Sequence, residues 1–248
     1  MNSVSSVVKN PSHLHMKSAR TLVALATFNE IENLPSLVDE IFRILPAADV
    51  LVIDDNSPDG TGEWCEKRSE SEPRLKCLHR PGKQGLGSAS LAAMRFAIDG
   101  DYDVFVTLDA DWSHDPSHLL DLVRAVDHAD VAVGSRYCAG GAIEGWPWQR
   151  RLISSSINTL TRVLLRLPVR DTSGAFRVYR VAKLREIDLA NIQARGYAYF
   201  EEILWHLHRV GASFAEVPIT FRERRAGVSK ISAREAAAKL GTLLRLAR

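Results

Sequence analysis

The stretch "VFVTLDADWSHDP", Val104 to Pro116, decides the fold. It opens with a run of β-forming residues, Val104 to Leu108, and then meets two aspartates, Asp109 and Asp111. Carboxylates at the end of a buried strand are costly unless cations or hydrogen-bond donors compensate their charge. The stretch therefore predicts a buried strand that delivers acidic side chains to a ligand.

Strands and helices alternate on both sides of this stretch. Buried strands are predicted at residues 21–27, 48–55, 74–80, 102–111 and 130–137. Helices are predicted at residues 30–45, 59–71, 86–99 and 116–129. Asn29 is the expected cap of the first helix. The alternation indicates an α/β protein with a parallel sheet and helices on both faces. Ligands of such sheets bind at the carboxyl ends of the strands, which is where Asp109 and Asp111 stand.

The composition of the 248-residue chain, 46% hydrophobic and 25% charged, is that of a soluble globular protein. A formal net charge of +2 is too small to indicate a nucleic-acid partner. The three cysteines have no metal-ligand spacing, and their sparse, odd number fits a reducing compartment. No apolar run reaches the roughly 18 residues of a membrane span, and no signal peptide is evident.

The pattern changes at both ends of the chain. Residues 1–20 are expected to form a disordered leader. After a glycine- and tryptophan-rich loop, residues 149–167 predict an amphipathic helix, and residues 231–248 predict a second one. The expected apolar stripe of the first is Ile153, Ile157, Leu160, Val163, Leu164 and Leu167. Its expected basic side is Arg150, Arg151, Arg162 and Arg166.

Two acidic strand ends indicate a binding pocket. Asp109 and Asp111 suit Mg²⁺ or Mn²⁺, which carboxylates commonly bridge to substrate phosphates. The alternative is a turn in which Asp111 or Ser113 caps the next helix. The second strand also ends in carboxylates, Asp54 and Asp55, and two acidic ends on one sheet edge predict a pocket for cations or for the hydrogen-bond donors of a nucleobase. The turn that follows Asp55 is compatible with such a site.

Several stretches together carry a resemblance to a known family. They are "ATFNEIENLP", "VIDDNSPDGT", "RPGKQGLGSA", "TLDADWSHDP", "GSRYCAGG", "RRLISSSIN", "DTSGAFRVYR" and "EVPITFRERRAGVSK". In this order they resemble the dolichyl-phosphate mannosyltransferase branch of the family 2 glycosyltransferases. The resemblance runs from about Thr21 to about Lys230. It implies a GT-A (nucleotide-diphospho-sugar transferase) fold, with a mostly parallel central sheet, in a catalytic domain over residues 21–230.

The resemblance implies an inverting glycosyltransferase that uses Mg²⁺ or Mn²⁺. The expected reaction moves mannose from GDP-mannose to a polyprenyl or dolichyl phosphate. One alternative is a sister enzyme that uses UDP-glucose, another nucleotide sugar or a soluble acceptor. Another is a non-catalytic, nucleotide-sugar-binding subunit of a membrane complex. A dinucleotide-binding dehydrogenase is discounted, because the GxGxxG spacing is missing after the first strand.

Individual residues match positions with a role in that family. The positions expected to bind the nucleotide sugar are Ala26, Phe28, Glu30, Asp55, Lys83 and Ala110. The expected metal ligands, also in contact with substrate, are Asp109 and Asp111. Some relatives have Gln where this chain has Ser113, a poorer ligand, so a water is expected to replace it in the metal's coordination.

The remaining matches concern the acceptor and the phosphates. The expected substrate contacts are Arg136, Arg151, Ser155 and Glu202. Asp171 is expected to act as a base or as an orienting group, and Asp111, Arg224 and Lys230 complete the expected catalytic set. The alternative for Arg224 and Lys230 is a solvated basic surface, and for Glu202 a charge on a helix face.

A lipid acceptor brings the protein to a membrane. We expect a cytoplasmic protein, peripheral on the cytoplasmic face, with the helix over residues 149–167 at the interface and its arginines near lipid phosphates. The alternative is that both amphipathic helices pack on the sheet or on a membrane-protein partner.

Overall fold

The structure is a computed structural model that describes residues 19–194, 196–223 and 233–247, with side chains from residue 239 onward in the last segment. Residues 1–18 of the expected leader lie outside the described residues. Arg224 and Lys230 also lie outside them, so their expected roles stay predictions. In the described part of the chain, no helix has both the length and the apolar character needed to cross a bilayer.

The expected alternation of strands and helices is confirmed. Strands β1 to β9 are Thr21–Thr27, Asp49–Asp54, Leu75–His79, Val104–Asp109, Val131–Ser135, Ala142–Ile143, Arg177–Arg180, Phe214–Pro218 and Thr220–Phe221. Helices α1 to α8 are Leu34–Ile44, Thr61–Ser71, Leu86–Asp99, Leu119–Ala125, Trp148–Leu165, Val181–Leu184, Tyr199–Arg209 and Ala233–Leu246. Single 3₁₀ turns are Pro116–His118 and Leu189–Asn191.

Seven of the nine described strands form one sheet in the order β3-β2-β1-β4-β7-β5-β8. All neighbours are parallel except β7, which runs antiparallel to both β4 and β5. β6 and β9 pair in a separate, parallel ribbon. The mostly parallel sheet is thus as expected, with one reversed strand that the sequence pattern did not predict.

The core lies on both faces of the sheet, as the period-2 alternation of a strand requires. On β1, Leu22 and Ala24 face the layer that contains α3, α7 and α8, whereas Val23 and Leu25 face the layer that contains α1 and α4. All four side chains are buried. Because both faces are covered, the carboxyl ends of β1, β2 and β4 are left to form a site.

The expected cap at Asn29 is wrong. α1 begins at Leu34, and Asn29 adopts a positive φ of 62° in the preceding loop. The backbone N–H of Asn29 donates to Ser57 Oγ at 3.0 Å, and that of Glu30 donates to Thr61 Oγ1 at 3.0 Å. These bonds hold the loop after β1 against the loop after β2, and this tertiary contact delays the start of the helix.

Candidate active site

The two acidic strand ends lie at the same edge of the sheet, as expected, one on each side of β1. In the sheet register, Ala26 of β1 pairs with Ile53 of β2 on one side and with Asp109 of β4 on the other. Asp54 is the last residue of β2 and pairs with Thr27. The ends of the three strands therefore form one edge, with the small Ala26 at its centre.

The two carboxylates at the end of β2 have different contacts. Asp54 is buried and holds its own turn, since it accepts from Thr27 Oγ1 at 3.1 Å and from the Ser57 backbone N–H at 3.0 Å. Asp55 is also buried, and Oδ1 of its carboxylate accepts from Arg80 Nε at 2.5 Å. Asp55 is thus the acid of this pair that stands in an ion pair at the sheet edge.

Of the other expected nucleotide-binding residues, Phe28 and Lys83 lie together. The Lys83 ammonium is 4.7 Å from the centre of the Phe28 ring, a cation–π distance. The carboxylate of Glu30 accepts from Asn33 Nδ2 at 2.8 Å. Phe28 and Lys83 present an aromatic face and a positive charge next to the sheet edge, whereas the contact of Glu30 stabilises the loop that precedes α1.

Asp109 and Asp111 lie at the end of β4 around a sharp turn. Trp112 has a positive φ of 63°, and the Ser113 backbone N–H donates to Asp111 Oδ1 at 3.0 Å. The Asp109 backbone N–H donates to Nδ1 of the buried His114 at 3.2 Å. Burial lowers the pKa of His114 to about 4, so its ring is neutral at pH 7 and can accept this bond.

The oxygen atoms at this turn fit a hard divalent cation. The Asp109 side chain is 34% exposed, and Asp111 is buried beside it. Ser113 Oγ is buried without a hydrogen-bond partner, which is unusual for a hydroxyl unless a water or an ion completes the site. Among the described residues no group of three His, Cys, Asp or Glu side chains could hold a metal. A cation here would need two carboxylates plus water and substrate phosphates, as Mg²⁺ sites commonly do.

Asp171 is the buried partner of Arg136. Its Oδ2 accepts from Arg136 Nε at 2.7 Å and from the Arg136 backbone N–H at 3.0 Å. Its Oδ1 accepts from an Arg136 terminal nitrogen at 2.7 Å and from the Gly174 backbone N–H at 3.1 Å. Burial raises the pKa of Asp171, but the charge and hydrogen bonds of Arg136, together with the charge of Arg177, outweigh it and lower the pKa below its ordinary value. The ionised carboxylate, with hydrogen bonds to both of its oxygens, holds the Arg136 guanidinium in place. Its expected role as a base or as an orienting group stays a prediction.

Arg136 is also surrounded by aromatic rings. Its guanidinium carbon lies 5.2 Å from the ring centre of Tyr137, 5.8 Å from that of Trp146 and 5.4 Å from that of Phe221. Burial opposes its charge, but the nearby carboxylates, chiefly that of Asp171, raise the pKa of Arg136 above its ordinary value. The guanidinium is therefore a fixed positive charge.

Three of the expected substrate contacts, Arg136, Arg151 and Ser155, line one pocket of about 650 Å³. Its full lining is Arg136, Tyr137, Gly141, Ala142, Ile143, Trp148, Arg151, Leu152 and Ser155. Two arginines and a hydroxyl are groups that bind anions, while the isoleucine, tryptophan and leucine form an apolar wall. The pocket thus suits an anion that carries an apolar group.

α5, which forms part of this wall, turns its polar side to the protein. Asn158 is buried, donates through Nδ2 to Ser173 Oγ at 3.1 Å, and accepts through Oδ1 from the Thr172 backbone N–H at 2.8 Å. The apolar stripe points outward, with Ile153, Leu160 and Val163 exposed by 60%, 57% and 66%. Leu167 does not belong to that stripe, because α5 ends at Leu165 and Leu167 is buried.

Glu202 does not lie in the site. It is fully buried, and its carboxylate accepts from the backbone N–H of Ala194 at 2.7 Å and from Arg245 at 2.7 Å. Its neighbour Glu201 is also fully buried, with Lys239 Nζ 2.5 Å from its carboxylate. The two acids attach α8 to α7, so neither a substrate contact nor a solvent-exposed charge describes Glu202.

Arg80, His114 and Asn158 form contacts at the site that were not predicted from the sequence. Arg80 and His114 lie within stretches quoted for the resemblance, but no role was assigned to them. Asn158 had a detectable signal in the sequence. Asn158 and Thr161 are uncharged polar residues three positions apart, so they share a side of α5 that lies outside its apolar stripe. Both residues are buried.

The mostly parallel sheet with its one reversed strand is that of the GT-A fold. The fold matches glucosyl-3-phosphoglycerate synthase from Mycobacterium tuberculosis in complex with Mn²⁺, UDP and phosphoglyceric acid, with a TM-score of 0.70 and 17% identity, over 93% of this chain and 79% of that one. The same enzyme in complex with Mg²⁺ and UDP matches with a TM-score of 0.69 and 17% identity, over 93% of this chain and 80% of that one. At this identity the likeness concerns the fold alone.

The sequence then places the chain in a particular family. The model of glycosyl transferase family 2 matches residues 22–188, and the chain belongs to that family. It is 43% identical to the polyprenol monophosphomannose synthase of Mycolicibacterium smegmatis, over 86% of this chain and 81% of that protein. It is 42% identical to the undecaprenyl-phosphate mannosyltransferase of Micrococcus luteus, over 86% of this chain and 88% of that protein. The predicted resemblance to the polyprenyl-phosphate mannosyltransferase branch is confirmed.

Proposed function

We propose that this glycosyltransferase transfers mannose from GDP-mannose to a polyprenyl phosphate, with inversion at the anomeric carbon. The observation that carries the proposal is the pocket that joins Arg136, Arg151 and Ser155 to an apolar wall. A lipid phosphate has the matching chemistry, an anion on an apolar chain. The names of the two mannosyltransferases that are over 40% identical support the same sugar and the same class of acceptor.

The donor is proposed to bind at the edge formed by β1, β2 and β4. Phe28 and Asp55 offer an aromatic face and a carboxylate for the base, and Lys83 offers a positive charge for the phosphates. Mg²⁺ or Mn²⁺ held by Asp109 and Asp111 would offset the charge that develops on the nucleoside diphosphate leaving group. Arg224 and Lys230 are proposed from the resemblance as further phosphate contacts.

The acceptor oxygen is proposed to attack without a general base. A phosphomonoester has a second pKa of about 6, so its oxygen is already anionic near neutral pH. The occupied oxygens of Asp171 agree with this chemistry, because a hydroxyl acceptor would instead need a nearby carboxylate with room to take its proton. Arg136, fixed by Asp171 and by the surrounding rings, holds the acceptor phosphate beside the sheet edge.

The lipid tail requires a membrane surface, and α5 is proposed to lie on it. The helix contains Arg150, Arg151 and Arg162, has no acidic residue, and exposes its apolar stripe. Apolar side chains flanked by arginines are suited to an interface with anionic lipids. We place the protein on the cytoplasmic face, in agreement with its free cysteines. A membrane-protein partner for α5 is the alternative.

The donor assignment is tested by a transfer assay with purified protein, a polyprenyl phosphate in mixed micelles and Mn²⁺. Radiolabelled GDP-mannose and UDP-glucose are supplied separately, and label in the lipid phase is counted. Mannolipid from GDP-mannose, with at least tenfold less product from UDP-glucose, is expected. Efficient transfer from UDP-glucose alone would assign the chain to a different donor.

A further inference from the structure

Arg80 connects three parts of the proposed nucleotide site. It follows β3 directly and is buried. Its Nε donates to Asp55 Oδ1 at 2.5 Å, and one of its terminal nitrogens donates to Ser88 Oγ at 2.9 Å. The other terminal nitrogen contacts Asp55 Oδ1. It also donates to the backbone carbonyl of Gly85, at 3.5 Å. One side chain therefore spans from the end of β2 to the start of α3.

The ion pair compensates charge that burial makes costly. Both Arg80 and Asp55 are buried, and either one alone would be an uncompensated ion. The contacts of Arg80 with this carboxylate go to Oδ1. The guanidinium of Arg80 does not contact the second oxygen of Asp55, Oδ2. Because Arg80 fixes the orientation of the carboxylate, it also fixes the direction in which Oδ2 points.

The same guanidinium also fixes the loop that carries Lys83. That loop, residues 81–85, ends at Gly85, whose φ of 91° lies in the region that favours glycine. Arg80 contacts both the carbonyl of Gly85 and the hydroxyl of Ser88 in the first turn of α3. The loop is therefore held at both ends, and Lys83 is kept over Phe28.

We infer that Arg80 is a positioning residue of the donor site. It orients Asp55 so that Oδ2 accepts from a ring N–H of the nucleobase, and it holds the loop that brings Lys83 to the phosphates. The ligand is a nucleoside diphosphate whose base has a ring N–H donor, as guanine and uracil have and adenine lacks. This inference rests on the proposed nucleotide site.

The test compares Arg80→Gln, Arg80→Lys and the surface control Arg74→Gln in the full-length chain. Arg74 also forms an ion pair, with Glu72, but both side chains are partly exposed. Dissociation constants of GDP and ADP are measured by calorimetry with Mn²⁺, and donor KM and kcat are measured by transfer from GDP-mannose.

For Arg80→Gln we expect the dissociation constant of GDP and the donor KM to rise by about 10- to 100-fold, the range for loss of a charge-assisted contact. The kcat at saturating donor should change less than threefold. The preference for GDP over ADP should fall by a similar factor, which a general loss of stability would not produce. Arg80→Lys should recover part of the preference, and Arg74→Gln should match wild type.

Wild-type GDP affinity and an unchanged preference for GDP over ADP in Arg80→Gln would overturn the inference. If that variant does not fold, Ser88→Ala decides, because it removes only the contact with α3. A weaker GDP affinity in Ser88→Ala supports the inference, and an unchanged affinity overturns it. Should wild-type protein bind neither GDP nor UDP, the proposed donor site itself fails, an outcome distinct from failure of Arg80.

Discussion

Replacement of Asp171 by Asn tests whether this residue orients Arg136 or acts as a base. Asn has nearly the same shape, but its side-chain NH2 group replaces one of the carboxylate oxygens. That group would then face N–H donors of Arg136 and, at the Oδ1 position, also the backbone N–H groups of Ser173 and Gly174. Breaking a buried ion pair by removing one partner costs about 3–5 kcal/mol. Since the side chains of Asp171 and Arg136 are 0% and 7% exposed, solvent screening does not reduce this figure much.

The pKa of Asp171 fixes the pH range of this effect. Because the pKa of the folded carboxyl is lowered, its contribution to stability is present above the unfolded value and is lost as pH falls through the folded value. At pH 7 the full contribution is expected. Urea unfolding followed by tryptophan fluorescence should show a loss of about 3–5 kcal/mol for Asp171→Asn. The exposed control Asp121→Asn should change by about 0.5 kcal/mol or less.

Kinetics separate the two roles of Asp171. In Asp171→Asn the guanidinium of Arg136 is displaced, so the acceptor KM should rise. The fall of kcat/KM on the acid side near pH 6 should persist, because it belongs to the acceptor phosphate, whose second pKa is about 6. Wild-type stability in Asp171→Asn would refute the orienting role. Disappearance of the acid limb in that variant would show that Asp171 is a general base.

Further predictions concern the metal, the membrane and the phosphate contacts. Asp109→Asn should abolish turnover with an unchanged melting temperature, and excess EDTA should stop the wild-type enzyme; full transfer in EDTA would exclude a metal. The double variant Leu160→Gln, Val163→Gln should lose sedimentation with anionic vesicles at unchanged stability, because both side chains are exposed; retained sedimentation would mean that α5 does not lie on the bilayer. Arg224→Ala and Lys230→Ala should each lower kcat/KM by about 10²; wild-type kinetics in both would assign them to a solvated surface.

The parts of the fold set by local pattern were predictable from sequence. The strands that end near Asp54 and Asp109 have continuous β-forming runs, and their parallel arrangement follows from the helices between them. β7 was not predicted, because its four residues, Arg177–Arg180, pair with β4 residues seventy or more positions earlier in the chain. Short strands that depend on distant partners have no strong local signal.

The site was predictable in its residue types and less so in its contacts. Arg136, Arg151 and Ser155 were expected singly as substrate contacts, and the structure shows that all three line one pocket. The function of Asp171 depends on a bond to Arg136, 35 positions away, and that of Glu202 on a bond to Arg245, 43 positions away. The sequence pattern does not show which carboxylates form ion pairs with distant arginines and which remain available to a substrate.

The central claim is that a lipid phosphate oxygen is the nucleophile, and one transfer assay tests it directly. Purified protein, radiolabelled GDP-mannose and Mn²⁺ are incubated with a polyprenyl phosphate or with the free polyprenol of the same chain length. We expect labelled product with the phosphate and none above background with the alcohol, because the alcohol would need a base that the occupied Asp171 does not supply. Equal transfer to the free polyprenol would show that the phosphate oxygen is not the required nucleophile.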